Sequence, residues 1–142
     1  MSEDVFGIDL GTTYSAIARI DEYGRPQIIQ NRDGQNTTPS VVYFESATNY
    51  VVGQEAKNGA RVYPDETVSL IKREMGEKNE RIFFDQSFYP ETISSLILKQ
   101  LVAEAQEVTG STSDRVVITV PAYFGLAEKE ATRQAGQIAG LD

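Results

Sequence analysis

The stretch Phe6-Gly7-Ile8-Asp9-Leu10-Gly11-Thr12-Thr13-Tyr14-Ser15 decides how this chain is read, because an aspartate interrupts an apolar, β-prone run just before a Gly-Thr-Thr turn. Val5 to Leu10 reads as a strand, residues 11–13 as a turn and Tyr14 to Ile20 as a second strand. A carboxylate on a largely buried strand is costly unless a cation or hydrogen-bond donors meet it. A hydrated magnesium ion meets that need, since magnesium keeps several waters and is held by one or two carboxylates together with substrate phosphates. Gly11 permits a turn whose successive backbone amides converge, and such a nest binds phosphate oxygens without side-chain charge. The same residues also fit an ordinary hairpin with a polar turn and Asp9 at a solvated strand edge. Spacing alone does not separate the two readings. Neither a Walker A pattern nor G-x-G-x-x-G occurs in the chain.

Working outward, Asp21 to Gly24 turns the chain again and Gln27 to Gln30 forms a third strand, completing an N-terminal meander. Asn31 to Ser40 is polar with a Gly and a Pro, hence loop, and Val41 to Phe44 with Tyr50 to Val52 reads as a hairpin. Gln54 to Val62 is weakly helical. Pro64-Asp65-Glu66 resembles a helix start, and Val68, Ile71 and Met75 repeat at helical spacing up to Gly76, which predicts a short helix carrying Lys72 and Arg73. Residues 77–87 are charged around Phe83-Phe84 and read as loop or edge strand. From Pro90, the stripe Ile93, Leu96, Ile97, Leu101, Ala105 and Val108 predicts a helix that Gly110 terminates. Val116 to Val120 suits a strand buried on both faces. Ala127, Ala131, Ala135 and Ala139 predict a helix with a small-residue face against the sheet, capped by Gly140. The pattern predicts a mixed α/β fold: a core from residues 1–37 and 90–142, with a smaller subdomain inserted at about 38–89.

Composition narrows the chemistry. The 142 residues hold 21 acidic and 13 basic side chains, a net charge of −8 with no basic cluster, which argues against nucleic acid as a partner. There is no cysteine and no histidine, so any chemistry runs on carboxylates, lysine, hydroxyls and backbone amides. No basic-then-apolar leader opens the chain, and no apolar run approaches the ~18 residues of a membrane span. A cytoplasmic location and no membrane partner are the expectations.

Four further segments give the phosphate-turn reading its support. In order along the chain stand Asp9 to Ser15, Thr37-Thr38-Pro39-Ser40, Lys72-Arg73 and Val117 to Phe124, followed by Ala135 to Leu141. Together they resemble the seventy-kilodalton heat-shock chaperones, the DnaK family, over nearly the whole chain. The resemblance implies the actin-like, ribonuclease-H-like ATPase fold, whose two lobes enclose magnesium and ATP or ADP, with this chain forming the first lobe. It implies that Asp9 holds magnesium through water and that Gly11, Thr12, Thr13 and Tyr14 wrap the phosphates. Lys72 then matches the family lysine near the γ-phosphate, where its ammonium offsets developing charge and helps place the attacking water. Pro121 matches a proline that passes nucleotide state toward a peptide-binding domain. Leu126 stands where the family has an aspartate, Lys129 where it has an arginine, and Asn36 where an arginine is common. Those departures put the coupling through Pro121 and Lys129, and to a J-domain cochaperone, in question.

The implied function is an ATP hydrolase that drives cycles of unfolded-polypeptide binding and release, with a J-domain cochaperone and a nucleotide exchange factor as further partners. Residue 142 falls where the next core strand is expected, and the resemblance places the second phosphate loop, the adenosine pocket and the peptide-binding domain beyond it. Alone, this segment is then expected to be catalytically silent, with an ATP affinity weaker than about 1 mM. Two other classes share the opening motif: a sugar or glycerol kinase of the same superfold, and an actin-like filament protein. The Thr37 to Ser40 and Val120 to Phe124 segments speak against the kinase, and downstream sequence lacking a peptide-binding β-domain would favour either alternative.

Overall fold

The structure, a computed structural model, describes residues 5–46, 48–69, 75, 81–84, 86–120 and 124–141. It is a mixed α/β fold built on several sheets. In the main sheet, β1 (Val5–Asp9) is flanked by β2 (Tyr14–Ile20), antiparallel to it, and by β10 (Val116–Thr119), parallel to it. β3 (Pro26–Ile28) extends β2 on one side, and the two-residue β4 (Thr38–Pro39) pairs with its N-terminal end. The segment expected to be loop from Asn31 to Ser40 therefore ends in a short sheet partner.

A second sheet has the order β6 (Tyr50–Val52), β5 (Val41–Phe44), β7 (Thr67–Ser69), all antiparallel. The expected helix from Pro64 is corrected here: Pro64–Glu66 is a single 3₁₀ turn, and Thr67–Ser69 continues as the strand beside β5. The spacing of Val68, Ile71 and Met75 fitted a helix. However, Thr67 and Val68 are β-branched, and the free edge of β5 offers Thr67–Ser69 a ladder of hydrogen bonds, so tertiary pairing overrides the short periodic signal. β8 (Arg81–Phe83) and β9 (Gln86–Phe88) form a separate hairpin.

Helix α1 (Gln54–Gly59) packs on β5, and α2 (Pro90–Thr109) runs under the main sheet. α2 begins with Pro at its first position and ends where Gly110 adopts the left-handed conformation (φ 74°) and returns its N–H to the Gln106 carbonyl. Ile93, Ile97, Leu101 and Ala105 are buried as the stripe predicts, but Val108 is exposed. α3 (Leu126–Ile138) buries Ala131 and Ala135. Its small-residue face packs chiefly on α2 rather than on the sheet, and Ala127 is exposed, which corrects the expected packing. Gly140 and Leu141 close the helix by donating to the carbonyls of Gln137 and Gly136.

The core joins Phe6, Ile8 and Ile17 of the main sheet to Ile97, Leu98 and Leu101 of α2, and continues into a ring cluster of Phe44, Phe83 and Phe88. Phe44 stacks on Phe83 at 4.6 Å and lies 4.7 Å from Phe88. The strand at Val116–Thr119 differs from expectation. It is an edge strand whose residues alternate, with Val116 and Ile118 half-buried toward the helices and Val117 and Thr119 exposed. Its run reads as apolar because Val117 adds an aliphatic side chain to the exposed face, although helices cover only the other face among the described residues.

Candidate functional site

The turn Gly11–Thr13 lies where β1 hands over to β2. Strand alternation puts Phe6 and Ile8 on the helix-covered face and leaves Gly7 and Asp9 on the open one. Asp9, the last residue of β1, is opposite Ala16 of β2 and Thr119 of β10. With Gly7, Val117 and Thr119 it lines a shallow cleft of about 280 Å³. The sequence suggested a carboxylate on a largely buried strand; here Asp9 is exposed, since no described helix covers that face, so its burial cost does not arise. Among the described residues its carboxylate makes no ion pair or hydrogen bond.

Gly11 has no room for a side chain. A Cβ there would lie 1.9 Å from the Tyr14 carbonyl oxygen, so the turn closes on itself at that point. Following it, Thr12 is half-buried and Thr13 exposed, and neither amide nitrogen has a partner among the described residues. Backbone donors are seldom left idle away from water, and two consecutive idle ones on an exposed bend form the sort of nest that accepts anionic oxygens.

The segment from Thr37 to Ser40 braces this turn. The Ser40 amide donates to the Thr13 carbonyl at 2.9 Å, and its hydroxyl donates to the Gly11 carbonyl at 2.9 Å. Ser15 and Ser40 hydroxyls meet at 2.7 Å, and both residues are buried. Upstream, the Asn31 side chain organises the approach: its carbonyl accepts from the amides of Asp33 and Gln35, and its amide donates to the Thr37 carbonyl and the Thr38 hydroxyl. Arg32 ties the same loop to α2 through Glu104 and Glu107.

Tyr14 reaches sideways. Its phenol oxygen accepts a hydrogen bond from Lys57 of α1 at 2.8 Å, while the ammonium lies 4.9 Å from the ring centroid. Those two distances place the cation beside the hydroxyl, and the contact is chiefly a hydrogen bond. The sequence reading gave Tyr14 a role but none to Lys57, Asn31, Ser15 or Ser40. Thr37 to Ser40 was legible as a motif without a mechanism, and nothing in the order of residues joins position 57 to position 14.

The residues named from sequence are only partly assembled here. Asp9, Gly11, Thr12, Thr13 and Tyr14 stand together at one end of the sheet. Lys72, Arg73 and Pro121 lie outside the described residues. Lys129 is exposed on α3, lining a groove of about 580 Å³ between α3 and β10, on the opposite side of β10 from the cleft at Asp9. A broader polar cleft of about 920 Å³, bordered by Tyr14, Thr37, Pro39, Gln54 and Glu104, does not include Asp9, Thr12 or Thr13. Its size is therefore no guide to where phosphates would sit. Among the described residues no three acidic groups converge on a metal position. No described helix is long and apolar enough to cross a membrane.

A family model described as Hsp70 protein matches residues 5–87 and 79–142. Those segments take in the turn at Gly11, its brace at Ser40 and both long helices, and the chain belongs to the Hsp70 family of chaperones.

Proposed function

We propose that this chain forms one wall of the ATP site of an ATP-hydrolysing chaperone, on an actin-like lobe. The family is one of ATPase chaperones that bind nucleotide and work with client polypeptides and cochaperones. The observation that carries the reading is the pair of amides at Thr12 and Thr13, beside the Asp9 carboxylate, with no partner among the described residues. A magnesium-bound triphosphate matches that donor set, because one carboxylate would hold the ion through water while the amides take phosphate oxygens. Gly11 lets the backbone approach closely, and Tyr14 adds a phenol anchored by Lys57. Lys72 belongs to the reading as the cation that offsets charge on the transferred phosphoryl group. Pro121 and Lys129 belong to it as the route by which nucleotide state reaches a peptide-binding domain.

In this reading the core is made by residues 1–37 and 90–142 with residues 38–89 as the inserted subdomain, in a cytoplasmic protein. ATP hydrolysis drives cycles of unfolded-polypeptide binding and release, assisted by a J-domain cochaperone and a nucleotide exchange factor. On this turn alone the phosphates face solvent, so affinity is weak, about 1 mM or poorer.

The test is an amide NMR titration of the chain with magnesium-ATP. Thr12, Thr13 and Tyr14 should shift, and Asp9→Asn should remove the magnesium-dependent part. No movement of those amides at about ten times that concentration would end the proposal. In the intact protein, Lys72→Ala is expected to abolish hydrolysis while nucleotide still binds; an unchanged single-turnover rate would remove the lysine from the mechanism.

A further inference from the structure

We infer that Ser40 is a positioning residue for the phosphate turn, acting through the Gly11 and Thr13 carbonyls to aim the Thr12 and Tyr14 amides. The inference rests on the ATP-site reading above. In a trans peptide the C=O and the following N–H point in opposite directions, and the chain contains no cis bond among the described residues. The Gly11 carbonyl shares its peptide plane with the Thr12 amide, and the Thr13 carbonyl shares its plane with the Tyr14 amide. Ser40 holds both carbonyls at 2.9 Å, one with its hydroxyl and one with its own backbone N–H. Both peptide planes are thereby turned with their oxygens toward Ser40 and their N–H groups away from it.

Proton direction follows from the same contacts. Because the Ser40 hydroxyl proton goes to the Gly11 carbonyl, the 2.7 Å contact with Ser15 is a donation from Ser15 to Ser40. Both serine hydroxyls lie in buried residues, Ser15 1% and Ser40 2% exposed, and they meet a half-buried Gly11 carbonyl. A phosphate nest needs its donors pre-aimed, since an amide that must rotate on binding spends part of the interaction on ordering. Ser40 supplies that aim from the position just after β4, where Pro39, lacking an N–H, sits opposite Tyr14 and donates no ladder hydrogen bond to it.

The experiment compares Ser40→Ala with Ser15→Ala, in the full chain, by amide NMR titration with magnesium-ATP. Each variant loses one buried hydroxyl, but only Ser40→Ala releases the Gly11 carbonyl. The expected result is that Ser40→Ala shifts the free-state Thr12 resonance and weakens magnesium-ATP about fivefold, the size of one net hydrogen bond, while Ser15→Ala stays within about twofold of the parent. Equal affinities in Ser40→Ala and the parent, or equal losses in both variants, would overturn the inference. If Ser40→Ala does not fold, Ser40→Cys keeps the volume with a weaker donor and is read by the same two outcomes. A parent chain whose turn amides ignore magnesium-ATP would instead overturn the ATP-site reading itself, so the two failures are told apart.

Discussion

Replacing Gly11 by alanine tests the geometry of the turn most directly. The new Cβ would fall 1.9 Å from the Tyr14 carbonyl oxygen and 3.1 Å from its carbon, against the 3.0 Å that real Cβ contacts essentially never undercut. The obstruction is backbone, not the end of a flexible side chain, so the turn itself must open by more than 1 Å. Forcing an added methyl into a filled space costs about 1–3 kcal/mol, and opening the turn also releases the Ser40 hydrogen bond to Gly11, about 1 kcal/mol. The total is about 2–4 kcal/mol. Unfolding entropy of about 2.1 cal/mol/K per residue over 142 residues makes each kcal/mol worth about 3 °C. Gly11→Ala should therefore melt about 7–13 °C below the parent by differential scanning calorimetry. The Thr12 and Thr13 amides should no longer respond to magnesium-ATP. A variant that melts within about 2 °C of the parent and keeps the nucleotide response would refute the close approach and the phosphate turn built on it.

Three other outcomes are expected. Phe44→Ala empties the centre of the ring cluster with Phe83 and Phe88, should cost about 3–5 kcal/mol and should lower the calorimetric melting temperature more than Gly11→Ala; a loss under about 1 kcal/mol would mean those rings are not packed. Asn31→Ala removes all four bonds that shape the approach to Thr38, so the amides of Asp33 and Gln35 should exchange with deuterium at least tenfold faster. Unchanged protection there would assign the loop's order to Arg32 and Glu104 instead. Arg133 hydrogen-bonds Glu130 and holds its carboxyl below the ordinary carboxylate range. A depressed value in the folded state means the pair contributes above the unfolded value and loses its contribution as pH falls through the folded one. The pair is exposed, so Glu130→Gln should melt only slightly below the parent at neutral pH and together with it in acid; a gap that widens toward acid would reverse the assignment.

How far the sequence could be read depended on the range of the interaction that decided each element. The hairpin turn at Gly11, the strands on either side of it and the helix from Pro90 to Gly110 were legible because local chemistry sets them: a permissive glycine, a proline at the first helical position and a left-handed cap. The strand at Thr67–Ser69 was not, because three residues of ambiguous spacing were settled by the vacant edge of β5. The same holds for the edge position of Val116–Thr119 and for the choice of α2 rather than the sheet as the partner of Ala131 and Ala135. Each is a question of which surface is left uncovered, and no window of sequence contains that.

At the candidate site the division falls between chemistry and its supports. Residue order alone determined an acid followed by a Gly-Thr-Thr bend, because glycine and its polar neighbours carry their turn preference locally, and it left a phosphate nest and an ordinary polar hairpin turn equally open. Only the tertiary structure decided that Asp9 is exposed on the open face, that Ser40 fastens the bend through the Gly11 and Thr13 carbonyls, and that Lys57 grips Tyr14. Ser40 lies 29 positions from Gly11 and Lys57 lies 43 from Tyr14, and hydrogen bonds over such separations exist only after the strands and α1 have packed.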